Sequence, residues 1–531
     1  MTPVGAGGGG TCRRRLVAAA RPYCAGHRSS AAPPYVPLVL LHVSVVVRIG
    51  ADLAASHPLR EPALHGQRGR PRPVRRPHRP RGDAPRRRPR PRPRSPDVTT
   101  LPASLPAFSA GHGRRRGASP FGAAAPSIVL ALGYLLALLV WLAFGDALPG
   151  GRWFSVHLFT LGVLTNLVLT FSEHFGRTVT RTVGERPAWW PLITNAGILG
   201  VLVGLPSGRR WLLVAGATTL TVSVFVAYWR IRRMRHAAVG ARFGWIARVY
   251  ERAHGAFIHG AILGALLGSG VLTGRWYGAG RIAHLHANIL GWGGLTLLAT
   301  LVFFGPTMAR TRIEEGADAR AARWLRPGAT GLSAAVLLLL LTGLVGWGGT
   351  AARLASAAAV AVYALAATVV CVPVARAVAR APRRTAAQPL VWSVAVAFPL
   401  VAWVDAAVLA TGTWRWLDAV GAAALTAVLA QAVIATLVYL APMLRGRSTG
   451  AREVITRRLE VGARTRAAVL ALGATAVTVA AARVAVGLPL VALGWTLLAA
   501  TVVATLATAL WPIRSPGGIP QPGSAVRGDG R

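Results

Sequence analysis

Residues 124–145 read AAPSIVLALGYLLALLVWLAFG, a stretch of 22 residues without a charged side chain. A transmembrane helix needs about 20 predominantly apolar residues, because the hydrocarbon core of a bilayer is about 30 Å thick. Comparable apolar runs recur along the chain as far as residue 511. They do not alternate between apolar and polar residues as the strands of a membrane barrel do. The sequence therefore predicts an all-α fold, a polytopic membrane helix bundle embedded in the lipid bilayer.

The apolar runs predict twelve transmembrane helices. They lie near residues 124–145, 153–173, 188–205, 211–229, 255–273, 282–304, 328–347, 354–374, 389–411, 418–441, 466–486 and 489–511. Alternate connections differ in charge: one set carries 26 arginines and the other carries 8. Because cytoplasmic loops are enriched in basic residues, this alternation predicts a multi-pass protein of the cell membrane with both termini in the cytoplasm.

The chain has 531 residues and a formal net charge of +44, and all of its strongly basic residues are arginines. Of these, 23 lie in the first 120 residues, an Arg/Pro-rich stretch that is predicted to be disordered. This stretch is either a basic tail or upstream sequence translated from a start codon assigned too early. Residues 121–513 form the predicted membrane domain, and residues 514–531 form a flexible tail. Since the remaining charge follows the loops, no nucleic-acid partner is expected.

Six of the seven histidines beyond residue 150 lie in or at the ends of three predicted helices. The predicted topology divides them into two depths. The outer group is His157, His284 and His286, and the inner group is His174, His254 and His259. An ionisable side chain inside a membrane is costly and indicates a functional site, and histidine is a common ligand of haem iron and copper. The alternative is that some of these histidines are ordinary residues of the headgroup region.

Helix geometry constrains how these histidines can cooperate. His157 and His174 lie on one helix, about 25 Å apart at 1.5 Å per residue, so they cannot bind the same metal ion. His284 and His286 point about 160° apart on a regular helix, so only one of them is expected to face the bundle interior. Asn288 follows His284 by one turn and is placed to orient it or to share its site.

A few other polar residues lie within the predicted helices. Asn166 and Glu173 form a stripe on the second helix, which suits either helix–helix hydrogen bonds or a proton path. Asp405 and Gln431 lie deep in the second half of the chain. An unpaired carboxylate is costly there, so Asp405 is expected to have a partner or to be protonated.

Three stretches carry a resemblance to a known group of proteins. They are residues 156–166 (VHLFTLGVLTN) with 172–175 (SEHF), residues 283–292 (AHLHANILGW) with 305–312 (GPTMARTR), and, more weakly, residues 431–443. They resemble the N-terminal multi-helix membrane region of bacterial copper oxidases and multicopper-oxidase-domain proteins. That region is distantly similar to the haem–copper membrane proteins of the nitric-oxide-response family.

The resemblance covers roughly residues 124–511 and implies specific ligands. His157, His174 and His284 match the recurring histidines of that region, whereas His254, His259 and His286 do not clearly match. The cupredoxin domains of multicopper oxidases have no counterpart in this sequence, so that activity is not expected. No histidine follows residue 286, so oxygen reduction at a haem–copper centre is not expected either.

These features favour a haem- or copper-associated membrane redox protein that exchanges electrons with a partner protein. If the chain belongs to an enzyme, it would be a component of an oxidoreductase. Two alternatives remain open at this point. Twelve helices are also a common size for a transporter, metal-ion transporters included, and a membrane scaffold without chemistry fits the helix pattern as well.

Overall fold

The computed structural model describes residues 124–144, 151–182, 187–238, 242–345, 349–446, 448–482 and 488–512. Within these ranges the chain is helical and contains no β-strand, which confirms the predicted all-α class. Both predicted tails, residues 1–120 and residues 514–531, lie outside the described residues.

Thirteen helices follow one another along the described residues. Their bounds are α1 Ala125–Phe144, α2 Gly151–Thr180, α3 Trp190–Gly204, α4 Arg210–Ala237, α5 Gly244–Gly268, α6 Gly274–Met308, α7 Ala317–Val345, α8 Thr350–Ala379, α9 Gln388–Thr411, α10 Trp414–Arg445, α11 Thr449–Glu460, α12 Ala463–Ala481 and α13 Leu488–Leu510. The main buried apolar cluster draws side chains from nearly all of them, with α2, α6, α8, α9 and α10 prominent. Helices suit a bilayer because each one satisfies its own backbone hydrogen bonds.

Nine of the described helices are long and apolar enough to cross a membrane. Helix α3 is apolar but shorter. Helices α5 and α12 are long, but each begins with a turn or more that carries charged residues. Every predicted segment overlaps one of the helices α1–α10, α12 or α13. The chain is therefore a multi-pass membrane protein by length and composition, while the count of twelve crossings stays a prediction.

The helix bounds differ clearly from the prediction at α4 and α5. The apolar pattern placed the end of α4 at residue 229 and the start of α5 at residue 255, but the helices continue to Ala237 and begin at Gly244. The additional turns are charged and pair with each other: Glu251 of α5 receives hydrogen bonds from Arg232 at 3.2 Å and Arg235 at 2.7 Å, both on α4. His254 consequently lies ten residues inside α5 rather than at its start.

Connections that the charge pattern assigns to the same side of the membrane contact one another. At the predicted cytoplasmic end, Arg242 between α4 and α5 pairs with Asp318 at the start of α7, at 2.8 Å. At the opposite end, Arg152 of α2 and Arg281 of α6 both reach Asp418 of α10, each at 3.3 Å. These contacts agree with helices that alternate in direction, as the charge pattern predicted.

Three of the helices contain a π-helical segment. The segments are Leu158–Leu164 in α2, His286–Gly294 in α6 and Ala424–Ala430 in α10, so they recur at every fourth helix. A π segment is a widened turn that is uncommon in proteins and is frequent at functional sites. The apolar pattern alone gave no sign of this recurrence, because the side chains of a π segment are as apolar as those around it.

Candidate functional site

A cavity of about 330 Å³ lies between α2, α5 and α6, with further walls from α3, α4 and one residue of α10. Most of its lining is aliphatic or aromatic. The polar side chains that line it include His157, Thr160, Arg281, His284 and Asn288. Two of the three histidines predicted for the outer group therefore line one cavity. An apolar cavity with a few polar groups is the usual form of a small-ligand or cofactor site.

His157 is held from its own helix. Its ring nitrogen Nδ1 lies 2.7 Å from the carbonyl oxygen of Trp153, and its ring stacks on the indole of Trp153 with centroids 4.2 Å apart. His157 is the last residue before the π segment of α2. The neighbouring residues of α2 thus fix both the ring orientation and the nitrogen that carries the proton.

His284 is held by a different helix. Its Nδ1 lies 2.7 Å from the carbonyl oxygen of Gly260 on α5. The side-chain amide of Asn288 donates to the His284 carbonyl oxygen at 2.9 Å and lies 3.3 Å from Nδ1. The role of Asn288 in orienting the His284 ring stays a prediction, because its hydrogen bond is to the His284 backbone.

The imidazole rings of His157 on α2 and His284 on α6 lie next to each other. Their centroids are 6.3 Å apart and their planes differ by 24°. Both Nδ1 atoms approach carbonyl oxygens, so each Nδ1 carries the proton and donates it, a tautomer assigned from the hydrogen bond. The Nε2 lone pair of each ring is then free to bind a metal ion. Histidines that bind metals commonly donate their other ring N–H to a backbone carbonyl in this way.

The distance between the two ring centroids can be compared with that of two imidazoles bound to one ion. Metal–nitrogen bonds of about 2 Å place the centroids of two imidazoles on one ion about 5 to 6.5 Å apart. The observed 6.3 Å lies at the upper end of this range. The described residues contain no group of three or more histidine, cysteine or acidic side chains that could hold a metal ion. The pair would therefore leave other coordination positions to a macrocycle or to an external ligand.

Two glycines of α5 make room for this arrangement, and sequence reasoning missed them. A Cβ on Gly264 would lie 2.7 Å from Cε1 of His284, and a Cβ on Gly260 would overlap the amide of Asn288. Gly260, Gly264 and Gly268 follow one another at intervals of four residues on one face of α5. This small-residue pattern is typical of close helix packing in membranes, and it was the available signal for the α5–α6 contact.

His286 belongs to a different contact. It is buried, its Nε2 lies 2.9 Å from Oδ2 of Asp405 on α9, and its Nδ1 lies 2.9 Å from the carbonyl oxygen of Ile282. Asp405 therefore has the partner that its burial required. The two histidines do point to different neighbours, but both face the protein interior, so the expectation that only one would do so is wrong. The protein, rather than lipid, surrounds this part of α6 on both sides.

The inner histidines do not come together as the outer pair does. His254 is fully buried, with its Nδ1 2.7 Å from the carbonyl oxygen of Tyr250 and its Nε2 3.4 Å from the hydroxyl of Ser172. Its ring meets the edge of Trp292, which also lines the outer cavity, with centroids 4.7 Å apart.

The two other inner histidines lie elsewhere. His174 is half-buried near the end of α2 and its ring packs against Phe175. His259 is exposed on α5, with its Nδ1 2.7 Å from the carbonyl oxygen of Gly255. Their assignment as metal ligands stays a prediction from the sequence.

The remaining predicted polar residues connect helices. Asn166 exchanges a pair of side-chain hydrogen bonds, each 3.0 Å long, with Asn195 of α3. Glu173 accepts hydrogen bonds from Arg177 at 2.5 Å and from Arg230 of α4 at 2.6 Å. The Asn166–Asn195 and Glu173–Arg230 contacts join two helices, whereas the Glu173–Arg177 contact lies within α2.

Gln431 follows the π segment of α10 directly. Its side chain is buried, and both polar atoms of its amide lack a hydrogen-bond partner among the described residues. An unpaired buried amide is costly, and nothing in the structure explains this one.

Comparison with known proteins adds no relative. No family model, no curated protein and no solved structure matches this chain. The resemblance to the membrane region of copper oxidases therefore stays a prediction carried by the short sequence motifs.

Proposed function

We propose that this multi-pass membrane protein is a redox protein that binds a transition metal, as haem iron or as copper, between His157 and His284. The observation that carries the proposal is the paired geometry of two histidines that line one apolar cavity. Their rings are 6.3 Å apart and both Nδ1 atoms are committed to backbone carbonyl oxygens. Haem iron and copper share this ligand chemistry.

The protein's own residues would prepare the site. The carbonyl oxygens of Trp153 and Gly260 hold each imidazole in the tautomer that presents Nε2. The mostly apolar lining would lower the local dielectric, which strengthens electrostatic interactions in the cavity. Arg281, which also pairs with Asp418, lines the cavity as well. The bound metal would supply a one-electron couple, and a partner protein would exchange the electrons.

The proposal includes the finer topology. Twelve crossings of the cell membrane, with both termini in the cytoplasm, would place His157 and His284 near the outer face. The alternation of arginine-rich and arginine-poor connections supports this orientation. The partner protein would then act from the outer side of the membrane.

Optical spectroscopy with metal analysis tests the proposal. The protein is purified in detergent from cells supplied with haem and copper, and spectra are recorded oxidised and after dithionite. We expect a reduced α-band for haem, or stoichiometric copper without that band, and loss of the signal in His157→Ala and in His284→Ala. His236→Ala is the matched control, because His236, near the end of α4, is exposed and does not line the cavity. A colourless, metal-free wild-type protein would exclude the redox function and favour transport.

A further inference from the structure

A second cavity, of about 460 Å³, lies at the opposite end of the bundle from His157. It forms where α8 ends, α9 begins, α11 ends and α12 begins. Its lining includes Arg384, Trp392, Glu460, Gly462 and Arg464. This is the end at which the arginine-rich connections meet, so the cavity is at the level of the lipid headgroups if the bundle crosses a membrane.

The two arginines of this cavity have no partner among the described residues. Arg384 and Arg464 are exposed, and neither makes a hydrogen bond or an ion pair with the part of the chain that the structure describes. The described lining contains one carboxylate, that of Glu460, and no ion pair joins it to either arginine. Two cations and one anion leave a net positive cavity that could accommodate one further negative charge.

The backbone adds to this positive charge. Helix α12 begins at the cavity, and the residue that precedes it, Gly462, provides no side-chain cap. The first N–H groups of a helix without a cap lack acceptors, and they carry the positive end of the helix dipole. Arg464, the second residue of α12, is placed where a basic side chain is unfavourable unless an anion is near.

The walls of the cavity are held in place. The side-chain amide of Gln388 donates to the carbonyl oxygen of Val378 at 2.9 Å, which joins the end of α8 to the start of α9. The hydroxyl of Thr385 donates to the carbonyl oxygen of Met308 at 2.8 Å, which anchors the loop between them. Trp392, one turn into α9, is 46% exposed. Tryptophan at this position is typical of the headgroup level, where its ring suits the interface.

We propose that this cavity binds a phosphate group, that of an anionic phospholipid headgroup. Arg384 and Arg464 would contact the phosphate oxygens, since guanidinium groups bind phosphate with paired hydrogen bonds. The uncapped N–H groups of α12 would add to this, as helix N-termini do in anion sites. Phosphatidylcholine would bind less well, because its choline group repels the same arginines. The site is independent of the metal site proposed above.

Lipid titration of the full-length protein tests the site. Delipidated protein in a mild detergent is titrated with phosphatidylglycerol, phosphatidylcholine or inorganic phosphate. Binding is followed by the rise in unfolding temperature and by native mass spectrometry of the retained lipid. The test variant is Arg384→Gln/Arg464→Gln. The control, Arg312→Gln/Arg383→Gln, removes the same charge from exposed arginines that do not line the cavity.

We expect phosphatidylglycerol to stabilise the wild type and the control equally. The test variant should bind it about thirtyfold more weakly, because each arginine near the membrane surface contributes about 1 kcal/mol. If inorganic phosphate binds and its binding depends on both arginines in the same way, the phosphate site is supported but its ligand is a soluble anion. Equal weakening in both double variants, or equal binding of phosphatidylcholine by the wild type, would overturn the proposal. Native mass spectrometry distinguishes a lost lipid from a variant that fails to fold.

Discussion

Gly264 of α5 lies directly against the imidazole of His284 on α6. A Cβ at position 264 would be 2.7 Å from Cε1 and 3.1 Å from Nδ1 of that ring. Carbon atoms do not approach this closely without displacement, so the ring position depends on the absence of a side chain. The same ring donates from Nδ1 to the carbonyl oxygen of Gly260, one turn earlier on α5. The proposed site between His157 and His284 would therefore depend on the surface of α5, although neither of these two histidines lies on that helix.

Gly264→Ala should displace His284 and weaken metal binding. We expect bound metal to fall about tenfold or more, the range found when groups that orient a metal ligand are removed. Overpacking should also cost about 1–3 kcal/mol of stability. Metal analysis and the optical spectrum measure the first effect, and unfolding in detergent measures the second.

Gly255→Ala is the control for this prediction. A Cβ at Gly255, on the same helix, meets no atom within 4 Å. The variant should keep its metal, and it should be no less stable than the wild type because alanine favours a helix more than glycine does. Unchanged metal content in Gly264→Ala would show that His284 does not need its present position.

Asp405→Ala should destabilise the bundle more than removal of the whole pair does. Asp405 binds His286 at 2.9 Å, and both side chains are almost fully buried. Removing one partner of a buried polar pair costs about 3–5 kcal/mol, because the other loses its compensation. Unfolding in detergent should show this loss for Asp405→Ala.

The double variant His286→Leu/Asp405→Leu tests the pairing itself. Replacement of both partners by apolar residues of similar volume is often nearly neutral, so it should recover most of the stability lost in Asp405→Ala. The optical spectrum should survive in the double variant, because His286 is not a proposed metal ligand. If the losses of stability from substituting His286 and Asp405 simply add up in the double variant, the two side chains are not coupled.

The sequence predicted the helices and the outer group of His157, His284 and His286 for physical reasons that are local. The length of an apolar run is set by the thickness of the bilayer. The depth of a residue in the membrane follows from the helical rise per residue. The positions of the apolar runs therefore suffice to predict that His157 and His284 lie at the same depth. Which histidines meet depends on how the helices rotate about their axes. His286 illustrates this. It lies only two positions after His284, but its partner is Asp405 on α9.

Other features were not predictable from apolar runs. The charged turns that lengthen α4 and α5 look like loop sequence, and only the Glu251 ion pairs explain their helical form. The amphipathic helix α11 lies in a stretch that the charge pattern assigned to a loop, and it is stabilised by burial of Ile455 and Leu459. Both cases depend on tertiary contacts, which override local composition.

Glu173→Gln should destabilise the inner end of the bundle by about 1–3 kcal/mol. The Glu173 side chain is only 6% exposed and binds arginines of α2 and α4. Loss of its charge leaves these partly buried arginines with a weaker, neutral acceptor. Glu453→Gln is the control, because its ion pair with Arg457 is exposed on both sides and such pairs contribute little. Equal losses of stability in Glu173→Gln and Glu453→Gln would show that burial of the Glu173 ion pair does not matter.

Labelling with a membrane-impermeant maleimide decides the orientation and the number of crossings. Single cysteines are placed in a cysteine-free background, at Ser207 and Val271 for the predicted outer face and at Ala319 and Val461 for the cytoplasmic face. All four positions are exposed. In intact cells we expect labelling at the first two and protection at the last two until the cells are lysed, because arginine-rich connections stay in the cytoplasm.

The position at Val271 is decisive for the count. It follows α5, which begins with charged turns and is not among the nine described helices that are apolar enough to cross by composition. If α5 crosses, Val271→Cys is labelled from outside, as twelve crossings require. Protection of Val271→Cys in intact cells, with labelling after lysis, would show that α5 does not cross. The membrane face near which His157 and His284 lie would then have to be determined again.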